Sequence, residues 1–401
     1  MFKYIAPSGS PINTSELLYW LVCYLLSIDK RQEIKKEIKS KYKVDNCFLF
    51  STGRGAMTTL LSSLKQLKQD NSKYEVVIPA YTCYSVASAV INAGLKIRLC
   101  DVDPKTLSYN IEQLNDLPFD NVLCMITANL YGIPNQLNEL EEIANANDIY
   151  LVDDAAQSFD ASYAGRQVGT FGIAGLYSFD KGKNITSIDG GVLVTNNSQL
   201  ADILENRYKL LTNVSAKHSL ITALKVFIYY TFLNPFLYWL PASLPFLNLG
   251  KTRYEEKIEI QKYPAKLAPL ALKQIKRSKD IMDIRVNNGL WYKLNIQENK
   301  IVTKINEFNT TKPAYLRYPL MISDPITRNT LIVNGKRYGL TVSYPKSLNM
   351  LKEIQEYIVN NNTFAGAEQI SQQIITLPTQ MYIKNEDRKS INNLIYNSQH
   401  S

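Results

Sequence analysis

Residues 152–191 read VDDAAQSFDASYAGRQVGTFGIAGLYSFDKGKNITSIDGG. The segment opens on an apolar run, Leu151–Val152, that stops on two acids, Asp153 and Asp154. A short run, Gly175–Ser178, leads into a loop with Lys181 and Lys183. The pair Gly190 and Gly191 then turns the chain into a third run, Val192–Thr195. Short runs rich in β-branched and aromatic residues, bounded by Gly, Asp and Ser, read as strands.

Outward from this segment the same rhythm continues. Strands are predicted at Glu75–Ile78, Lys96–Cys100, Val122–Ile126 and Ile149–Asp153. Helices are predicted at Gly55–Leu67, whose Ala56, Leu60, Leu61 and Leu64 recur at helical spacing, and at Leu137–Asn145. Strands alternating with helices imply an α/β fold with a mainly parallel sheet covered on both faces. Such a sheet carries its ligands at the carboxyl ends of its strands. Helices over Tyr263–Asn295 lead into a smaller C-terminal α/β unit, with strands at Tyr315–Ile322 and Gly339–Ser343 and helices at Leu348–Asn360 and Ala365–Ile375. The expected organisation is an apolar and basic segment over 1–44, a large domain over 45–260, and a connection plus small domain over 261–401.

Composition narrows the function classes. The chain has 401 residues, 45% of them hydrophobic, enough for a large core. Cys23, Cys47, Cys83, Cys100 and Cys124 form no CxxC pair, and His218 and His400 are the only histidines, so neither a disulfide framework nor a His-based metal site is expected. The start MFKYIAPSGSP does not read as a signal peptide, which points to the cytoplasm. The net charge of +9 favours anionic partners, but no nucleic-acid module is readable. Two stretches are uncharged. Leu17–Ile28 precedes a run rich in lysine, and Val226–Gly250, inside an insertion at about 218–250, is interrupted by Pro235, Pro241 and Pro245. The first is too short to span a bilayer, and the prolines and aromatics of the second suit burial or an interfacial contact at the inner membrane face.

Four features have the chemistry that pyridoxal phosphate (PLP) asks of a protein: an amine, an acid, a phosphate cradle and a flat group. Lys183 or Lys181, on a loop after a strand, offers the amine, and Ser178 a hydroxyl for phosphate. Asp154, with Asp153 as its rival, offers the acid for the pyridine nitrogen. Small residues at Ser51–Met57, with Gly53, Arg54 and Gly55, open a helix whose amides and dipole suit an anion. IPAYTCYSV at 78–86 offers a ring-covering side chain.

These segments together resemble the DegT/StrS-type family of sugar aminotransferases. Residues 152–191 are similar to that family's acidic DAAQ segment, its YxGRxVG turn and its SFxxxKN lysine segment. VVIPAYTCYSVASAVINAGLKIRLCDVDPKTLSYN at 76–110, LYGIPNQLNELEEIAN at 130–145 and FAGAEQISQQIITLPTQ at 364–380 resemble further family stretches, so the likeness spans roughly 45–215 and 260–395. The resemblance implies the type I PLP transferase fold, with a seven-stranded, mainly parallel sheet between helices and a smaller C-terminal domain. It implies Lys183, in the Lys183–Asn184 pair, as the Schiff-base lysine and Asp154 as the partner of the pyridine nitrogen. Gln157 would meet the ring's 3-oxygen side, while Ser178 and the backbone of Arg54 and Gly55 would bind phosphate.

Family dehydratases carry histidine in place of this lysine, so lysine implies transamination. The resemblance further implies glutamate as amino donor, a nucleotide-linked keto sugar as acceptor, a role in surface polysaccharide or glycan synthesis, and a homodimer. A membrane-surface enzyme acting on a lipid-linked sugar, and a PLP-binding regulator or inactive homologue, are the alternatives. Three positions depart from the family pattern. The ring-covering aromatic falls at Cys83, leaving Tyr81, Cys83 and Tyr84 open for that role; Gln380 replaces a histidine; and the segment that reaches the neighbouring subunit's phosphate is not recognisable near Lys262 and Lys266.

Overall fold

The computed structural model describes residues 3–244 and 254–398; residues 245–250 of the second apolar stretch, with Pro245, and His400 lie outside the described residues. Strands β1 (Asn46–Phe50), β2 (Glu75–Pro79), β3 (Lys96–Cys100), β4 (Val122–Ile126) and β5 (Tyr150–Asp154) come first. A small hairpin, β6 (Ser162–Tyr163) and β7 (Arg166–Gln167), separates them from β8 (Ala174–Ser178) and β9 (Gly191–Thr195). The main sheet has seven strands in the order β1-β9-β8-β5-β4-β2-β3. The pairs β3/β2, β2/β4, β4/β5 and β5/β8 are parallel, and β9 runs against both β8 and β1.

The near-continuous apolar strands follow from burial on two faces. Successive side chains alternate between two cores. Val76, Ile78, Ile126, Val152 and Leu176 enter one, and Val77, Met125, Leu151, Tyr177 and Val192 the other. Helices α1 (Thr14–Leu25) and α2 (Arg31–Tyr42) cover the second face, and α3 (Gly53–Lys68) and α4 (Tyr84–Asn92) the first.

The predicted strands of this sheet appear within one residue at each end, and β1 was missed. Its Asn-Cys start and five-residue length give a weak period-two signal; pairing with β9 creates it. The C-terminal reading needs more correction. Strands β10 (Val302–Lys304), β12 (Arg317–Ile322) and β13 (Ile374–Pro378) form a small antiparallel sheet, while β11 (Thr311–Lys312) pairs with β6. The expected strand Gly339–Ser343 reduces to one bridge between Thr341 and Thr376, because Gly339 closes a left-handed cap at φ +86°. Leu348–Asn360 holds two 3-10 turns, Leu348–Met350 and Lys352–Tyr357, rather than one helix. The helix expected over Ala365–Ile375 stops at Gln373, and Ile374 begins β13, where the β-branched Ile-Ile-Thr run pairs with β12.

One edge of the main sheet gathers the ends of β1, β5 and β8 with the start of β9. Gly191 is in register with both Phe50 and Ser178 there. A Cβ on Gly191 would lie 2.5 Å from the Thr52 carbonyl and 2.6 Å from Gly53 Cα. Only glycine lets the β9 turn press against the first turn of α3. Gly191→Ala should therefore cost about 1–3 kcal/mol of stability, the usual range for overpacking, read as a lowered denaturation midpoint.

Candidate active site

The two adjacent acids of β5 part company because successive strand residues face opposite sides. Asp153 is fully buried and saturated. Its carboxylate accepts from Thr127 Oγ1 (3.1 Å), Asn129 Nδ2 (2.8 Å), Gly169 N (2.5 Å) and Phe171 N (3.3 Å). It pins the Gly169–Phe171 turn and takes no part in the cavity.

Asp154 faces the other way. Its Oδ1 accepts one backbone bond, from Ala156 N at 2.9 Å, and its carboxylate lines a cavity together with Lys183, Gln157, Cys83 and Asn129. Burial pushes its carboxyl up to about 6, against the pull of the Ala156 amide and the Lys183 charge. Free acceptor capacity beside a lysine is what a partner for a protonated ring nitrogen requires.

Lys183 enters this cavity from the loop after β8, whereas Lys181 is exposed and its carbonyl accepts from Tyr229 Oη at 3.0 Å. Neither lysine makes an ion pair among the described residues. The lysine loop is braced from the N-terminus: Ser8 Oγ donates to the Gly182 carbonyl (2.9 Å) and Ser10 Oγ to that of Asn184. Arg285, fully buried, holds that brace by donating to the Gly9 carbonyl (2.7 Å) and to Ser10 Oγ (3.2 Å).

The phosphate-cradle residues meet at the same sheet edge. Thr52 caps α3, its Oγ1 accepting from Gly55 N at 3.0 Å, so the Gly55 amide is taken and those of Gly53 and Arg54 are the ones at the open first turn. A Cβ on Gly53 would lie 3.4 Å from Ser178 Oγ, which puts that hydroxyl against the helix start. The Arg54 side chain turns outward to Glu255 at 2.5 Å. The Ser178 hydroxyl, held by long bonds to the Gly190 carbonyl (3.5 Å) and the Asp180 amide (3.4 Å), thus lies against a helix N-terminus with two uncapped amides, a set of donors that suits a phosphate.

Of the three aromatic-position candidates, Cys83 alone lines the cavity. Tyr81 is fully buried, its hydroxyl 3.2 Å from that of Tyr131, and Tyr84 Oη donates to the Lys346 carbonyl at 3.0 Å. Gln157 is held at both ends: Oε1 accepts from Tyr131 N (3.1 Å), and Nε2 donates to Tyr344 Oη (3.1 Å). Lys262 Nζ donates to the Lys209 carbonyl and Lys266 Nζ to that of Tyr24, both away from this chain's own cavity. Gln380 is buried against the N-terminal segment, donating to the Ala6 carbonyl at 3.3 Å.

Three residues were missed from the sequence. Asn129 ties the site together, with Nδ2 donating to the Asp153 carboxylate and to the Asp154 carbonyl (2.9 Å) while its Oδ1 accepts from Asn135 N (3.0 Å). The signal was available: Thr127 and Asn129 are polar residues directly after the apolar run of β4. Asp189 sits half-buried beside the Gly190 turn, and desolvation plus the Asp180 charge push it up to about 7. Arg317, on β12, donates to Ser343 Oγ at 3.0 Å and lies among Tyr131, Tyr344, Tyr238 and Tyr81. Every Asp and Glu of the chain is among the described residues, and none is paired with it.

The model of the DegT/DnrJ/EryC1/StrS aminotransferase family matches residues 24–220 and 261–395, and the chain belongs to that family. The GDP-4-keto-6-deoxy-D-mannose 3-dehydratase of Yersinia pseudotuberculosis is 25% identical over 84% of this chain and 86% of its own length. GDP-perosamine synthase of Escherichia coli O157:H7 is 26% identical over 43% of this chain and 46% of its own. The matched stretch covers only 44% of the E. coli O55:H7 dehydratase, at 29% identity. Helicobacter pylori PseC, an aminotransferase of pseudaminic acid biosynthesis by its description, superposes with a TM-score of 0.79 at 16% identity, covering 99% of each chain. The E. coli GDP-4-keto-6-deoxy-D-mannose-3-dehydratase with bound hydrated PLP also reaches 0.79, at 16% identity, over 98% and 100%. The fold is that of the type I PLP transferases, and PLP is the cofactor of this family.

Because the folded carboxyl of Asp154 titrates near 6, above the ordinary 3.8, its ionisation opposes folding of the cofactor-free protein above about pH 6. That penalty is relieved as pH falls through 6 and vanishes near 4. Asp154→Asn should therefore raise the cofactor-free unfolding temperature at pH 8 and leave it unchanged near pH 4.

Proposed function

We propose that this protein is a PLP-dependent aminotransferase that moves an amino group from glutamate to a nucleotide-linked keto sugar, as a cytoplasmic homodimer supplying surface polysaccharide or glycan synthesis. The observation that carries the reading is a single cavity shared by Lys183 and Asp154, with lysine rather than histidine at the covalent position. In this proposal Ser178 and the Gly53 and Arg54 amides bind the phosphate, and Cys83 covers the ring. Gln157 meets the 3-oxygen side of the ring.

PLP supplies an electron sink for the charge left when the substrate carbon beside nitrogen loses its proton. The Asp154 carboxylate keeps the pyridine nitrogen protonated, and Asn129 and Asp153 hold the strand end that aims it. With PLP bound, the Lys183 amine would take and return the proton at that substrate carbon. Arg317, a cation with no carboxylate partner next to the residues that hold Gln157, receives the carboxylate of the amino donor. Buried arginines acquire anions where they can, and a planar carboxylate matches the guanidinium fork.

The purified protein with PLP should show a visible absorption band that glutamate removes with release of 2-oxoglutarate. Lys183→Ala should lose both, and a band without 2-oxoglutarate would favour a regulator or dehydratase. Arg317→Gln should raise the KM for glutamate by at least about tenfold, the scale of one lost charge-assisted bond, while amination of the keto sugar by cofactor already carrying the amino group is unchanged.

A second reading keeps the same chemistry but places it at the inner face of the membrane, on a lipid-linked sugar. The uncharged stretches Leu17–Ile28 and Val226–Gly250 favour it. A panel of nucleotide-linked and lipid-linked keto sugars, read by mass spectrometry for the gain of an amino group, separates the two.

A further inference from the structure

We infer that α1, the helix Ala216–Phe232 and the turn that follows it form a seat for an anionic lipid surface, in which the protein lies in the membrane interface without crossing it. The inference stands apart from the PLP reading, since it uses none of the cavity residues.

Each helix is two-sided, with an apolar stripe left in solvent. α1 buries Leu17, Trp20 and Cys23 but leaves Leu18, Val22, Leu25 and Leu26 exposed at 57%, 54%, 72% and 67%. Positions i, i+4, i+7 and i+8 share one face of a helix. Ala216–Phe232 buries Thr222, Ala223 and Val226, while Leu220, Ile221, Leu224, Phe227 and Ile228 remain 40–67% exposed on the opposite face. Phe236, Leu237, Trp239 and Leu240 continue the patch at 41–48%.

The two helices lie side by side and antiparallel. Thr14 Oγ1 is 3.0 Å from Tyr230 Oη, Trp20 meets Phe227 edge-on at 5.5 Å, and Arg31 at the far end reaches Asn213. Their stripes therefore adjoin into one exposed apolar patch, the kind of surface that marks a partner or membrane contact.

Charge selects the occupant. No acid occurs between Glu205 and Glu255, whereas Lys209, Lys217 and Lys225 do. Lys266 and Lys273 border α1, the first donating to the Tyr24 carbonyl and the second 4.4 Å from the Tyr19 ring centre. The nearby acids Glu205, Asp29 and Glu33 are already paired with Lys209, Arg31 and Lys30, so a second copy placed on this face by a two-fold axis would set mainly cations against cations. Anionic headgroups pair with the same rim. Ile221, Leu224, Phe227, Ile228 and the 236–240 residues lie outside both segments that match the family model, as do Leu18 and Val22. Among the described residues no helix is long and apolar enough to cross a membrane, and aromatic side chains such as Phe227 and Trp239 suit the headgroup level.

The test is co-sedimentation of the full PLP-loaded chain with phosphatidylcholine–phosphatidylglycerol vesicles against phosphatidylcholine alone. Binding to the mixed vesicles should be several-fold stronger and should weaken with salt. Leu224→Glu with Ile228→Glu, or Val22→Glu with Leu26→Glu on the other helix, should lower the bound fraction about tenfold or more, with the unfolding temperature unchanged because all four positions are exposed. Lys209→Glu with Lys217→Glu should remove the preference for the anionic lipid. Wild-type protein that stays in solution, or variants that bind as before, would overturn the inference. A variant that turns a dimer into a monomer in light scattering while lipid binding is unchanged would overturn it in favour of a second copy.

Discussion

The site depends on one buried carboxylate that takes no part in the cavity. Asp153 is stripped of water, and four donors from two other chain segments converge on it. An unpaired carboxylate in that position would cost several kcal/mol, so the end of β4, the end of β5 and the Gly169–Phe171 turn are locked to one another. Asp154 inherits the result. As the next residue on the strand it must face the other side, and its backbone is held at both ends, by Thr127 Oγ1 on the amide and Asn129 on the carbonyl. A rigid strand end leaves its carboxylate free to accept.

A second lock works on the opposite side of the cavity. Lys183 sits on a loop without regular structure, which by itself would wander. The N-terminal residues Ser8–Ser10 clamp that loop through the Gly182 and Asn184 carbonyls, and Arg285 clamps the clamp. Tyr229, from the helix that bears an exposed apolar stripe, adds a bond to the Lys181 carbonyl. The lysine loop is therefore tied to Ser8 and Ser10 and to the helix Ala216–Phe232, all distant from it in sequence.

The cradle shows a division of labour between side chain and backbone. Thr52 takes the Gly55 amide for the cap, and the close approach at Gly191 pushes the turn of β9 against the same helix start. What remains open is set by geometry that only glycine permits. Cys83, rather than an aromatic, lines the cavity wall where the family pattern has a ring, while Tyr81 and Tyr84 are drawn away by Tyr131 and the Lys346 backbone.

The amino-acid sequence by itself determined the class of fold and the chemistry on offer. The alternation of apolar runs and helical stretches is local, and so are acids at a strand end, a lysine beyond a strand and small residues opening a helix. Local patterns survive without knowledge of the third dimension. Where the C-terminal strands pair is not local, which is why Ile374 and Ile375 passed for a helix end and Gly339–Ser343 for a strand. Sequence left Asp153 and Asp154 as rivals, and Tyr81, Cys83 and Tyr84 as equals. Only the tertiary structure tells their surroundings apart, because those rest on which partners, 16 or more residues away in the chain, reach each side chain: Asn129 and Gly169 for Asp153, Tyr131 for Tyr81, Lys346 for Tyr84.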